Sequence, residues 1–118
     1  MEYGTAPSAP IVRQEVGSVE VVVRNIEGLH CRPASLFAER AVMSESEIEV
    51  RVIERPPDQE SRGHSKADGK SVFDLIFLEA VCGTRLEIRA KGPGAKIAVY
   101  PLRDLVEDGF GEECAEVL

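Results

Sequence analysis

The chain of 118 residues is short of cysteine: it holds three, and Cys31, Cys82 and Cys114 show neither CxxC nor His/Cys ligand spacing. Neither a disulfide framework nor a structural zinc site is expected, and a reducing, cytoplasmic setting suits the thiols. No run approaches about 18 consecutive apolar residues, which excludes a membrane-spanning helix. The first ten residues lack both the basic and the apolar stretch of an export signal. Positive charge is scarce as well: 14 basic against 21 acidic side chains leave a net charge of −7, which opposes a nucleic-acid or anionic-membrane surface. Internal repeats are absent. The length suits one domain, and 43% apolar residues can bury one modest core without metals or crosslinks.

What is there is periodicity. Residues 1–17 are small, proline-bearing and aperiodic, which predicts a flexible leader. Val19, Val21 and Val23 then alternate with Glu20, Val22 and Arg24, the signature of a strand over 19–24. Ala34, Phe37, Ala38 and Ala41 fall at i, i+3, i+4 and i+7, predicting a helix over 32–44 in which Pro33 is tolerated because first-turn N–H groups are unpaired. Ile48, Val50 and Val52 predict a second strand that stops before Pro56-Pro57, and residues 55–66 read as an exposed inserted loop. A short strand over 66–69 and a short apolar helix over 71–78 follow. Leu86, Ile88 and Ala90 mark a strand over 85–91 that Gly92-Pro93-Gly94 ends. In 95–108, Ala98, Leu102 and Leu105 share a helical face, and Pro101 predicts a kink or two short helices. The order βαββαβα implies an α+β fold in which an antiparallel sheet buries one face under helices.

Asn25 to Ala34 carries the chemistry, since a strand ends and a helix opens there with His30 and Arg32 at the junction. The first N–H groups of a helix lack intrahelical partners and its dipole is positive at that end, so the junction offers an anion preformed donors, to which Arg32 adds charge. His30 supplies a nucleophile, and the positive end opposes a second positive charge on its ring. Taken alone, His30 reads better as an ordinary helix-start histidine, hydrogen-bonded to a carbonyl. Ser71-Val72-Phe73-Asp74 reads as a helix cap, and His64 as a solvated loop residue.

Gly28-Leu29-His30-Cys31-Arg32-Pro33-Ala34 resembles the active-site motif of HPr, the histidine phosphocarrier family of the bacterial phosphoenolpyruvate-dependent phosphotransferase system, with Cys31 where alanine is usual. Lys70-Ser71-Val72-Phe73 and Gly83 to Ile88 resemble the family's regulatory-serine helix and the strand after it, and Phe110-Gly111-Glu112 its usual ending. The resemblance spans about residues 18 to 113, leaving 114–118 as a tail. It implies an open-faced β-sandwich, a four-stranded antiparallel sheet with three helices on one face, and a shorter connection than 55–66. It also implies a monomeric carrier, not an enzyme, without cofactor or metal. His30 would accept phosphate at Nδ1 from enzyme I with Arg32 stabilising it. The phosphate would pass to a sugar-specific or regulatory acceptor protein. The resemblance makes Ser71 a target of HPr kinase/phosphorylase and places partner docking at Lys70, Val72, Phe73 and Ile76, the other apolar residues of that helix being core by default. The alternative is a regulatory HPr-like module, of nitrogen-related or catabolite-control type, acting through Ser71-dependent partner binding.

Overall fold

In the computed structural model, which describes residues 15–60 and 62–116, alternating residues build four strands and amphipathic stretches three helices. In chain order these are β1 (Val16–Val22), α1 (Cys31–Ala41), β2 (Glu47–Glu54), β3 (Lys66–Asp68), α2 (Val72–Phe77), β4 (Arg85–Lys91) and α3 (Ala95–Glu107), with a 3₁₀ turn at Gly109–Gly111. The sheet runs β1-β4-β2-β3 with every neighbouring pair antiparallel. Register follows from which side chains must be buried. Val21 faces Leu86, Val50 faces Ile88 and Ile48 faces Ala90, and all six are buried. Over them lie Ala34, Phe37, Ala38 and Ala41 of α1, Leu75 of α2, and Ala95, Val99, Leu102 and Val106 of α3. The other face stays in water and carries charge, with Arg85 paired to both Glu20 and Glu54 across neighbouring strands. The fold is α+β, an open four-stranded antiparallel sheet with three α-helices.

Several boundaries and faces differ from the sequence reading. The first strand begins at Val16 and ends at Val22, although Val23 stays buried and its N–H still reaches Thr84 O at 2.9 Å. Residues 1–14 of the expected leader lie outside the described residues. Pro101 does not divide α3, which is one helix of 13 residues. Pro101 sits on the exposed side with Ile97, whose carbonyl it deprives of a helical donor, so the loss falls where water is at hand. Its buried stripe is Ala95, Val99, Leu102 and Val106, with Ala98 and Leu105 only at the margin. Phe77 is no core residue: it is 50% exposed, because a helix of six residues can turn only Leu75 fully inward.

The described residues between β2 and β3, 55–60 and 62–65, close onto the end of α2. His64 N–H donates to Phe77 O at 2.9 Å, satisfying a carbonyl left over at the helix end. Arg55 donates to Glu79 O and His64 O, and Arg62 pairs with Glu79 at 3.1 Å. Gly63 has φ +68°, and a Cβ there would run into Leu78 O, so the close approach requires glycine.

Candidate functional site

The loop between β1 and α1 is shaped by backbone bonds before any functional side chain enters. Gly28 adopts φ +72°, and a Cβ on it would come within 2.6 Å of Ala80 O; only glycine fits both demands. Gly28 N–H donates to Asn25 O at 3.0 Å, Leu29 N–H to Ala80 O at 2.9 Å, and His30 N–H to Gly28 O at 2.9 Å. The Leu29 side chain is buried, which pins the loop and presents His30 as the N-cap of α1, with extended φ/ψ. The first helical bond is Ala34 N–H to His30 O at 2.9 Å. The N–H groups of Cys31 and Arg32 lie ahead of it and Pro33 has none, so the positive end of α1 keeps two backbone donors.

A third group comes from the far end of the chain. The buried Phe110 takes φ 58°, turning the backbone sharply after α3. Beyond it, Ile26 N–H donates to Glu113 O at 2.9 Å and Ala115 N–H to Arg24 O at 3.1 Å. This pairing sets Glu112 against the loop. His30 Nε2 lies 3.0 and 3.1 Å from its two carboxylate oxygens, Arg32 Nη1 donates to Oε2 at 2.9 Å and to Phe110 O at 3.2 Å, and Asn25 Nδ2 donates to Oε1 at 3.0 Å. The hydrogen bond from His30, against the opposing effect of burial and helped by Asn25 and Arg32, holds the Glu112 carboxyl below the usual carboxylate range. An ionised carboxylate only accepts, so Nε2 carries the proton. In the neutral ring Nδ1 then keeps its lone pair, and it has no hydrogen-bond partner among the described residues. The His30 side chain is 37% and that of Arg32 58% exposed. A partly exposed histidine ring with Nδ1 unpartnered among the described residues therefore stands at the helix start that also carries Arg32 and two free backbone N–H groups, an arrangement able to receive an anionic electrophile.

Of the other residues singled out by sequence, Ser71 caps α2, its hydroxyl accepting Asp74 N–H at 3.2 Å. The Lys70 ammonium turns inward to Ser44 O at 2.8 Å, beyond the end of α1. Val72 and Ile76 are partly buried against the core. Phe73 is 70% exposed and lies 6.4 Å, ring to ring, from Phe77, which in turn contacts the exposed His64 at 5.8 Å. Sequence reasoning assigned no role to Glu112 or Asn25. The signals were slight: Glu112 closes the Phe110-Gly111-Glu112 ending and Asn25 opens the quoted loop. Among the described residues no His/Cys/Asp/Glu group suits a metal ion, and no helix is long and apolar enough to cross a membrane.

A family model described as the PTS HPr component phosphorylation site matches residues 18–108. The phosphocarrier protein HPr of Borreliella burgdorferi is 39% identical over 88 residues, 75% of this chain and 91% of that protein. The multiphosphoryl transfer protein of Salmonella typhimurium is 33% identical over 99 residues, 83% of this chain and 24% of the longer relative. The crystal structure of HPr-C-His from Thermoanaerobacter tengcongensis aligns with a TM-score of 0.65 at 32% identity, over 81% of this chain and 97% of that one. The match thus runs from β1 through α3 and takes in the His30 loop, and on that ground the chain belongs to the HPr family of phosphocarriers of the phosphotransferase system.

Proposed function

We propose that His30 accepts a phosphoryl group at Nδ1 from phospho-enzyme I and passes it to a downstream protein of the phosphotransferase system. The chain acts as a monomeric cytoplasmic carrier with no turnover of its own. The observation that supports this most is the Glu112 contact at Nε2, which leaves Nδ1 as the nitrogen with a lone pair at the start of α1. In the transfer the Nδ1 lone pair forms the new P–N bond while the donor's bond to phosphorus breaks and returns its electron pair to the donor. No proton has to move. The ring gains positive charge, the Nε2 proton stays against the Glu112 carboxylate, and the imidazolium so formed has its counter-ion in place. The two backbone donors and Arg32, released from Glu112, face the phosphoryl oxygens. Passing the group onward reverses these steps.

Partner docking falls to α2, with Phe73 and Phe77 as exposed apolar anchors beside Lys70, Val72 and Ile76. Regulation falls to Ser71, where a phosphate would replace the capping hydroxyl near the carboxylates of Asp68 and Asp74. The test is incubation with enzyme I and labelled phosphoenolpyruvate. The wild type takes up acid-labile, base-stable label, and His30→Ala takes up none. Label that persists in His30→Ala, or fails to appear in the wild type with competent partners, refutes the reading. A Ser71→Asp change that alters partner binding while His30→Ala leaves physiology intact would favour the purely regulatory module instead.

A further inference from the structure

Asn25 is 0% exposed, yet its side chain makes two hydrogen bonds, both from Nδ2: to Gly28 O at 2.7 Å and to Glu112 Oε1 at 3.0 Å. Both partners only accept, so the NH₂ group must face them, and the orientation of the amide is settled by its neighbours. The consequence is an orphan. Asn25 Oδ1 is buried with no hydrogen-bond partner among the described residues, a cost that an apolar side chain filling the same space would not carry. What the asparagine supplies in return is a tie between two segments 87 residues apart: the loop that presents His30 and the turn that presents Glu112. Oε2 is already drawn to Arg32 at 2.9 Å. Without the Asn25 donor on Oε1, His30 itself is the one remaining donor among the described residues that opposes rotation of the carboxylate toward the guanidinium, and Nε2 loses its fixed acceptor.

We propose that Asn25 is a positioning residue that holds the Glu112 carboxylate on Nε2 and thereby determines which nitrogen of His30 is free to take the phosphoryl group. The proposal rests on the reading of His30 as the acceptor, and it acts through the ring tautomer, the device by which a buried carboxylate orients imidazole in acyl-transfer triads.

The experiment reads the ring ¹⁵N chemical shifts of His30 in the labelled full chain, together with the rate of phosphorylation by phospho-enzyme I. In the wild type the neutral ring carries its proton on Nε2. Asn25→Asp, which is isosteric but turns the donor into an acceptor facing two acceptors, gives a mixture of tautomers and slows phosphorylation about tenfold or more. Asn25→Ala shifts the tautomer in the same direction, and adds nothing further in a Glu112→Ala background. Should Asn25→Asp fail to fold, Asn25→Ser takes its place in both measurements. Cooperatively melting Asn25 variants that keep the wild-type tautomer and rate would overturn the proposal. The tautomer readout needs no partner protein, so it decides the role of Asn25 even if the wild type takes no phosphate at His30.

Discussion

Glu112 answers three donors at once, and the charge on its carboxylate is what makes the His30 ring asymmetric. Its folded pKa lies below the ordinary value, chiefly because of the His30 hydrogen bond. The stabilisation it provides is complete above the unfolded glutamate pKa of about 4.3 and is lost as the pH falls through the lower folded value. Glu112→Gln is therefore expected to be less stable than the wild type at neutral pH, with the difference closing on the acid side. Urea denaturation of both proteins between about pH 6 and pH 3 checks this, and a gap that stays constant over that range would contradict it. His30 and Arg32 were legible because they lie two positions apart at a helix start. Glu112 lies 82 residues from His30, and no periodicity links positions that meet only after the chain has closed.

The helices show where a local pattern is enough and where it is not. In α1 the i, i+3, i+4, i+7 spacing named the buried Ala34, Phe37, Ala38 and Ala41 correctly, since a helix of three turns has room for a full apolar face. In α2 no such spacing was available, and the assignment of Phe77 to the core by default fails, because a single apolar stretch of six residues does not say which side faces the sheet. For α3 the two short helices that Pro101 could have produced do not form: packing of Val99, Leu102 and Val106 on the sheet keeps the helix continuous through it. The cap of α2 was legible from Ser71-Val72-Phe73-Asp74 alone. Ser71→Ala is expected to cost about 1 kcal/mol, whereas Ser71→Asp, an equally good cap with a charge suited to the helix start, should stay within about 0.5 kcal/mol of the wild type. Denaturant titration distinguishes the two, and equal losses would mean that the cap contributes nothing.

Across the whole molecule one core lies between sheet and helices, and stability and docking are carried by different aromatic residues. Phe37 is buried at the centre of that core, so Phe37→Ala should cost about 3–5 kcal/mol, a large share of the roughly 5–15 kcal/mol available to a domain. Phe73→Ala, at an exposed position, should leave the unfolding midpoint nearly unchanged and slow phosphoryl exchange with partners. The reverse pattern would move the docking surface elsewhere. The α+β class and the element order were readable from alternation and helical spacing, but the β1-β4-β2-β3 order was not, because strand alternation fixes which face is buried and not which neighbour lies alongside. A carrier of the proposed kind holds its phosphate on one ring atom. Phosphorus–nitrogen correlation by NMR on the ¹⁵N-labelled phosphoprotein tests this most directly: a single coupling is expected, to Nδ1 of His30, with Nε2 still protonated against Glu112. Coupling to Nε2, or a phosphate carried on His64 instead, would contradict it.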